Sequence, residues 1–367
     1  MKFFGLALAT FILGSSASPA QLDPRAVSKS WGGTSNYFIQ GMADDLQEKY
    51  IKALAATGAR VIRVWVNAQP GNNACVKGSR SVTKLLDFET TIGQYNWATL
   101  DALDKTLVLV EKYGMKALVS PHDANALHGA NGNDIYGQTW GPGYFYEKQE
   151  AIDAFEARLR AIFTYKGKYS GKVWKDWNST IMAFDIENEP FSSKTEECKY
   201  SSAPTWVCGR SKTMRDILGA NNPIKIATGG FGGDISQGCT FEAGATSCPS
   251  VDIVSVHRYA GPESSNPSQW TNSYNSWLKQ TNGKLVFVEE WGINGTKYSQ
   301  KDEFASNTKD MNAGGLPFLY WQILPEKVCD VSDGDPFGFF INSGVDISTP
   351  MNNAKATNSK QDWSGIV

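Results

Sequence analysis

Val61-Ile62-Arg63-Val64-Trp65-Val66 is apolar and β-branched throughout, apart from one arginine. A strand with apolar residues on both alternating faces must be covered on both sides, as parallel strands are. Seven other short apolar runs resemble it: Ser30–Phe38, Met115–Ser120, Ile181–Glu187, Ile224–Thr228, Val251–Val256, Leu285–Glu289 and Leu316–Ile323; the run around Arg63 extends over Arg60–Asn67. Amphipathic stretches lie between them, at Met42–Thr57, Trp97–Tyr113, Glu147–Tyr165, Pro267–Gln280 and Ser299–Ala313. Gly58 and Gly114 stand where the first two helices should end. This alternation predicts an α/β fold, a (β/α)8 TIM barrel in a single domain. Residues 123–146 and 191–210 read as long polar connections after strands three and four, on the face where barrels build their sites.

Composition narrows the function. The 367 residues carry 35 Lys+Arg against 37 Asp+Glu, a formal net charge of -2, with 41% hydrophobic residues. Disordered chains need fewer apolar residues and more net charge. Nucleic acid and anionic membranes call for clustered basic residues, so neither is an expected partner. A core could absorb many of the 12 Trp, 14 Tyr and 18 Phe, but twelve Trp is a high number, and flat aromatic faces also suit a cleft that stacks on sugar rings.

Residues 1–20 have the pattern of a secretory signal. Lys2 is followed by an apolar Phe3–Leu13, too short to span a bilayer, and by small residues suited to cleavage after Ala17 or Ala20. Residues 21–29 read as a short extension within a mature chain of 21–367, expected to be extracellular and monomeric. Six cysteines suit an oxidising compartment. Proximity in sequence suggests Cys198–Cys208 and Cys239–Cys248, leaving Cys75 for Cys329. The spacings lack the C-x-x-C pattern of zinc sites, so no metal is expected. Asn178-Ser179-Thr180 and Asn294-Gly295-Thr296 are sequons.

The polar residues within or just after the apolar runs carry the functional signal. They are Arg63 on strand two, Pro121-His122 after strand three and Asp185-Ile186-Glu187-Asn188-Glu189-Pro190 at the end of strand four. His257-Arg258-Tyr259 follows strand six, Glu289-Glu290-Trp291-Gly292 ends strand seven, and Trp321-Gln322 lies on strand eight. Each alone has an ordinary explanation: a buried ion pair, a core histidine, a turn, a solvated strand end or core packing. Together they place charged groups where burial is costly unless they are paired or used.

This ordered set resembles glycoside hydrolase family 5, whose members are retaining (β/α)8 glycosidases. The resemblance rests on Arg63, His122, Asn188, Glu189, His257, Tyr259, Glu290 and Trp321, and so spans nearly the whole chain. It implies that Glu189 is the acid/base and Glu290 the nucleophile. Glu187 and Glu289 are rivals, since strand alternation puts residues 187 and 189 on one face. It also implies that Arg63 and Tyr259 hold Glu290 ionised, that Asn188 contacts a sugar 2-hydroxyl, and that Trp321 floors the cleavage subsite. His122 and His257 would bind substrate hydroxyls or tune the acid, and Glu189 would sit in a less ionising environment than Glu290. No cofactor is implied. The stretches Trp31–Phe38 and Arg60–Trp65 resemble fungal endo-β-1,4-mannanases, while Ser120-Pro121-His122-Asp123 and the Phe191-Ser192 after Pro190 are more like glucan-active relatives. A β-1,4-mannan is the favoured substrate, a β-glucan the alternative, and an inactive polysaccharide-binding barrel the remote one.

Overall fold

The computed structural model describes residues 28–367 except 70, 77, 129–133, 193–199, 231–239, 260–268 and 330–334. The expected signal segment therefore lies outside the described residues. Eight strands form a closed barrel: β1 (Gly32–Ser35), β2 (Val61–Trp65), β3 (Lys116–Ser120), β4 (Ile181–Asp185), β5 (Lys225–Ala227), β6 (Ile253–Arg258), β7 (Leu285–Trp291) and β8 (Phe318–Tyr320). Neighbours pair in parallel, and β1 closes the ring on β8.

Alternation along the strands sorts the interior into layers. Val61, Leu118, Ala183, Ile253, Phe287 and Leu319 form a small apolar core within the barrel. Trp31, Trp363 and Ile366 join it, the two tryptophans edge to face at 5.2 Å. Two residues further along the strands, Arg63, Ser120, Asp185, Ser255 and Glu289 make a buried polar layer. That layer is the base on which the site stands.

The larger core lies between strands and helices. The helices are α1 (Asp44–Thr57), α2 (Trp97–Lys112), α3 (Ile135–Tyr144), α4 (Gln149–Thr164), α5 (Ala203–Leu218), α6 (Gln269–Gln280), α7 (Gln300–Gly314) and α8 (Ser348–Ala356). Helix α1 ends at Gly58 with φ +94°, and Gly114 after α2 has φ +66°, as their sequence positions suggest. Three helices were not legible. α3 lies wholly and α5 partly within stretches read as loops, and α8 follows the last strand. α3 contains Gly141 and Pro142, which break helical periodicity and kink it. α5 starts with Pro204 in its first turn, a start signal hidden by a polar Ser/Cys/Arg-rich sequence. Two small hairpins, Asn72–Val76 with Ser79–Val82 and Glu89–Thr91 with Gln94–Tyr95, lie between β2 and α2.

The cysteine pairing differs from the expectation. Cys208 on α5 is bonded to Cys248, in the turn before β6, with Cα atoms 5.2 Å apart. This excludes both Cys198–Cys208 and Cys239–Cys248. Proximity in sequence misled because α5 carries Cys208 to its partner across 40 residues. Cys329 is also disulfide-bonded; Cys198, Cys239 and the Cys75 side chain lie outside the described residues. Among the described residues no helix is long and apolar enough to cross a membrane.

Candidate active site

Arg63 is the hub of the polar layer. Its Nε donates to Asp185 Oδ2 at 2.9 Å, and Nη2 donates to Asn188 Oδ1 at 2.8 Å and to Ser120 Oγ at 3.1 Å. Nη1 donates to Glu290 Oε1, and Nη2 lies 3.3 Å from Glu289 Oε2. The guanidinium also rests over the Trp65 ring, 4.3 Å from its centroid. A buried guanidinium needs such partners, since an unpaired charge there would be costly. Asp185 is pushed up to about 8 by burial; the Arg63 charge opposes the shift and Glu289 adds to it.

A β-bulge explains how two consecutive glutamates enter this layer. Val256 pairs with Val288, but the next residue, His257, pairs with Glu290, leaving Glu289 as the extra residue. The bulge interrupts period-two alternation and re-aims both side chains. Glu289 is fully buried, accepting from Ser255 Oγ at 2.8 Å with His257 Nε2 at 2.9 Å. Glu290 lies beside the cleft, and Tyr259 donates to its Oε2 at 2.7 Å.

Alternation also fails after β4. Glu189 has φ +47° and Phe191 φ +63°, both left-handed. Glu187 and Glu189 therefore do not share a face. Glu187 is fully buried, within 2.5 Å of His122 Nδ1, and accepts from the Tyr146 hydroxyl at 2.8 Å. Glu189 instead faces the cleft, with Oε1 2.9 Å from His257 Nδ1 and Oε2 accepting from Asn125 Nδ2 at 3.0 Å. Its backbone N–H donates to Gly229 O at 3.0 Å. Gly229 is required there: at φ +88° a Cβ would lie 1.6 Å from the Glu187 carbonyl oxygen.

Glu189 and Glu290 thus face each other, with one oxygen of each and a nitrogen of His257 all within 4.8 Å of one another. Two carboxylates at this spacing can serve as a proton donor and a nucleophile toward one atom between them. Burial raises Glu189, but the bond and charge of His257, with Asn125 and Arg63, outweigh it and hold Glu189 at about 2. His257 is pushed up to about 10, burial opposing the shift while Glu290, Glu189 and Glu289 drive it. Glu290 is raised by burial and by Glu189, against the charges of His257 and Arg63. This reverses the expected order of the two glutamates. Three carboxylates surround the His257 ring, an arrangement that favours a proton on the imidazole.

A cleft of about 900 Å³ opens above these groups, lined by Tyr37, Trp65, Asn125, Asn188, Glu189, Tyr259, Glu290 and Trp321 among others. Tyr37 and Trp321 are stacked at 5.7 Å with planes 7° apart, and Trp65 meets Trp321 edge-on. Arg63, His122 and His257 do not line it. Both nitrogens of His122 are engaged, by Glu187 and by Asp134 at 2.7 Å, and its ring is packed among Tyr136, Phe145 and Phe155. Both nitrogens of His257 are engaged by carboxylates. Of the two roles expected for these histidines, tuning the acid fits His257, which bonds Glu189 directly, while the nitrogens of both rings are engaged by carboxylates. A metal shared by Glu189, His257 and Glu290 would have to displace those imidazole bonds beside a guanidinium.

Several site residues escaped the sequence reading. Asp185 was legible as the first acid at the end of strand four, but its pairing with Arg63 was not. Asn125 had no such signal, because it lies in a polar turn of ordinary composition; Tyr37 and Asp123 lie in stretches already singled out, but nothing in sequence marked either as part of the cleft.

The match to the family model "Cellulase (glycosyl hydrolase family 5)" covers residues 18–327. A mannan endo-1,4-beta-mannosidase 1 of Oryza sativa subsp. japonica is 22% identical over 256 residues, covering 65% of this chain and 52% of its own. The chain thus spans about half the length of that relative. An endo-1,4-beta-D-mannanase of Thermotoga petrophila matches in fold with TM-score 0.67 at 16% identity, over 89% of this chain and 99% of its own. An endo-1,4-beta-mannanase of Rhizomucor miehei matches with TM-score 0.67 at 17% identity, over 92% and 96%. A family model spanning Arg63 through Trp321, on a barrel that brings Glu189 and Glu290 together, leaves one conclusion: the chain belongs to glycosyl hydrolase family 5.

Proposed function

We propose that this chain is a secreted, retaining endo-glycosidase that cleaves a β-linked polysaccharide, β-1,4-mannan in the first place. The observation that carries the reaction class is the approach of Glu189 and Glu290 oxygens to within 4.8 Å. Retaining glycosidases hold the two carboxyl groups ~5–5.5 Å apart, whereas inverting ones leave ~6.5–9.5 Å for a water. Mannan is supported by the names of the similar proteins above, and a β-glucan stays the alternative because the matching family model carries a cellulase name. Export is supported by residues 1–20 and by the Cys208–Cys248 bond, since disulfides persist in oxidising compartments.

In this reading a Glu290 oxygen bonds to the anomeric carbon as the glycosidic C–O bond breaks. The leaving oxygen takes the proton held by the Glu189–His257 pair. As Glu290 becomes an ester it loses the negative charge that does most to favour a charged His257, which eases the proton toward Glu189 and the leaving group. Glu189 then removes a proton from water, whose oxygen attacks the same carbon and frees Glu290. Arg63 and Tyr259 receive the carboxylate at each end of this cycle. Asn188 offers the 2-hydroxyl its second amide hydrogen, since Asp123 Oδ1 takes one at 2.8 Å. The Tyr37–Trp321 stack offers aromatic surface to the ring.

Reducing-end release from mannan, galactomannan, carboxymethylcellulose and laminarin tests the substrate. Azide tests the mechanism: Glu290→Ala should yield the inverted glycosyl azide. Glu189→Ala, given an aryl glycoside with a good leaving group, should yield the retained one. Wild-type activity in both variants would sink the reading.

A further inference from the structure

The turn after β3 holds a bracket that no feature of the ordered octet includes. Asn125 lies in the one-turn helix Ala124–Leu127, half-buried at the cleft wall. Its Nδ2 donates to Glu189 Oε2 at 3.0 Å and to Asp123 Oδ1 at 3.1 Å, and its backbone N–H also donates to Asp123 Oδ1 at 3.1 Å. Two carboxylate oxygens around one amide terminus require that terminus to be the NH2 group. The same Asp123 Oδ1 accepts from Asn188. Backbone bonds join the two turns as well: Asn188 N to His122 O at 2.9 Å and Ala124 N to Asn188 O at 3.0 Å.

We infer that Asn125, aligned by Asp123, is a positioning residue that fixes the acid/base carboxylate of Glu189 and helps set its proton affinity. The inference rests on the reading of Glu189 as the acid/base. His257 holds Oε1 and Asn125 holds Oε2, so the carboxylate cannot rotate without breaking a bond. Each oxygen has two lone pairs, so Oε2 keeps one for a proton bound for the leaving oxygen. An N–H that donates to a carboxylate favours its charged form. The other charged or titratable groups facing Glu189 are His257 and Arg63, which favour that form, and Glu290 and Tyr259. Asp123, behind Asn125, is the remaining carboxylate of the cluster.

The test compares wild type, Asn125→Ala, Asn125→Asp and Glu189→Ala on the best polysaccharide and on an aryl glycoside with a weakly basic leaving group. General acid help contributes ~100–10,000-fold where the leaving group is poor. Asn125→Ala should therefore lose ~10–100-fold on polysaccharide and only a few-fold on the aryl glycoside. The alkaline limb of its kcat/KM profile should move up, because Glu189 holds its proton more tightly. Asn125→Asp adds a like charge and should move the limb further the same way. Equal losses on both substrates with an unmoved limb would make Asn125 merely structural and overturn the inference. So would wild-type behaviour of Asn125→Ala while Glu189→Ala shows the acid-deficient pattern. Wild-type activity of Glu189→Ala on polysaccharide would overturn the underlying reading itself.

Discussion

His257 Nδ1 lies 2.9 Å from Glu189 Oε1, and its opposite nitrogen lies 2.9 Å from Glu289 Oε2. An imidazole donates from both nitrogens only when it is charged. This ring is surrounded by acceptors, so it should be an imidazolium at neutral pH. The chain has only three histidines, so ring ¹⁵N NMR can assign it. At pH 7 both nitrogens of His257 should carry protons, with titration near pH 10. A ring that is neutral at pH 7 would contradict the proton store proposed for the acid.

The same groups set the pH dependence of stability. His122 and His257 are raised to about 10 from 6.5, so their contribution is complete below pH 6.5 and lost as pH rises toward 10. For His122, burial opposes the rise and the bonds to Asp134 and Glu187 produce it. Glu189, lowered to about 2 from 4.5, contributes above pH 4.5 and loses its contribution as pH falls toward 2. Asp185, raised to about 8 from 3.8, costs stability progressively as pH rises between those values. Thermal unfolding should therefore show its highest midpoint between pH 4.5 and 6.5, a mild decline across that window, and a steeper one above it. A midpoint still rising from pH 6.5 to 9 would mean that the buried histidines are not charged.

Much of the barrel was legible because its strands are apolar on both faces, a pattern that survives without knowledge of the third dimension. Arg63, Glu189 and Glu290 were legible for the converse reason: charge on such strands needs a use. What could not be read depends on departures from periodicity. The bulge at Glu289 and the left-handed turn at Glu189 decide which acid of each pair reaches the cleft, and both act through backbone geometry. His122 showed the limit of residue type alone. Its strand-end position suggested substrate contact or tuning of the acid, and Asp134 and Glu187, brought in by tertiary packing, claim both its nitrogens.

The Cys208–Cys248 bond closes a loop of 40 residues between α5 and β6. Replacing both cysteines by alanine should cost ~2–4 kcal/mol, largely by releasing the unfolded chain. In a chain of this size that lowers the midpoint by roughly 3–6 °C. Activity at room temperature should persist, since neither residue touches the cleft. Peptide mapping without reduction should recover Cys208 joined to Cys248. Recovery of Cys208 joined to Cys198 instead would refute the pairing.

Tyr146 links the buried His122 network to the turn carrying Glu189. Its hydroxyl donates to Glu187 at 2.8 Å and accepts from the Phe191 N–H at 2.9 Å. Phe191 is fully buried and holds a positive φ, a conformation that costs ~1–3 kcal/mol and persists only where its surroundings enforce it. Tyr146→Phe keeps the ring, which packs against Phe191 and Trp206, but removes that enforcement. The Phe191 N–H would lose its acceptor and Glu187 a donor, a loss of ~1–3 kcal/mol in stability for each buried group left unsatisfied. Two residues upstream, Glu189 would lose its fixed direction. Turnover on polysaccharide should fall ~10-fold or more, while an aryl glycoside with a good leaving group should be affected much less. A variant that unfolds at lower temperature yet keeps the wild-type ratio between the two substrates would show that the hydroxyl stabilises the barrel without aiming the acid.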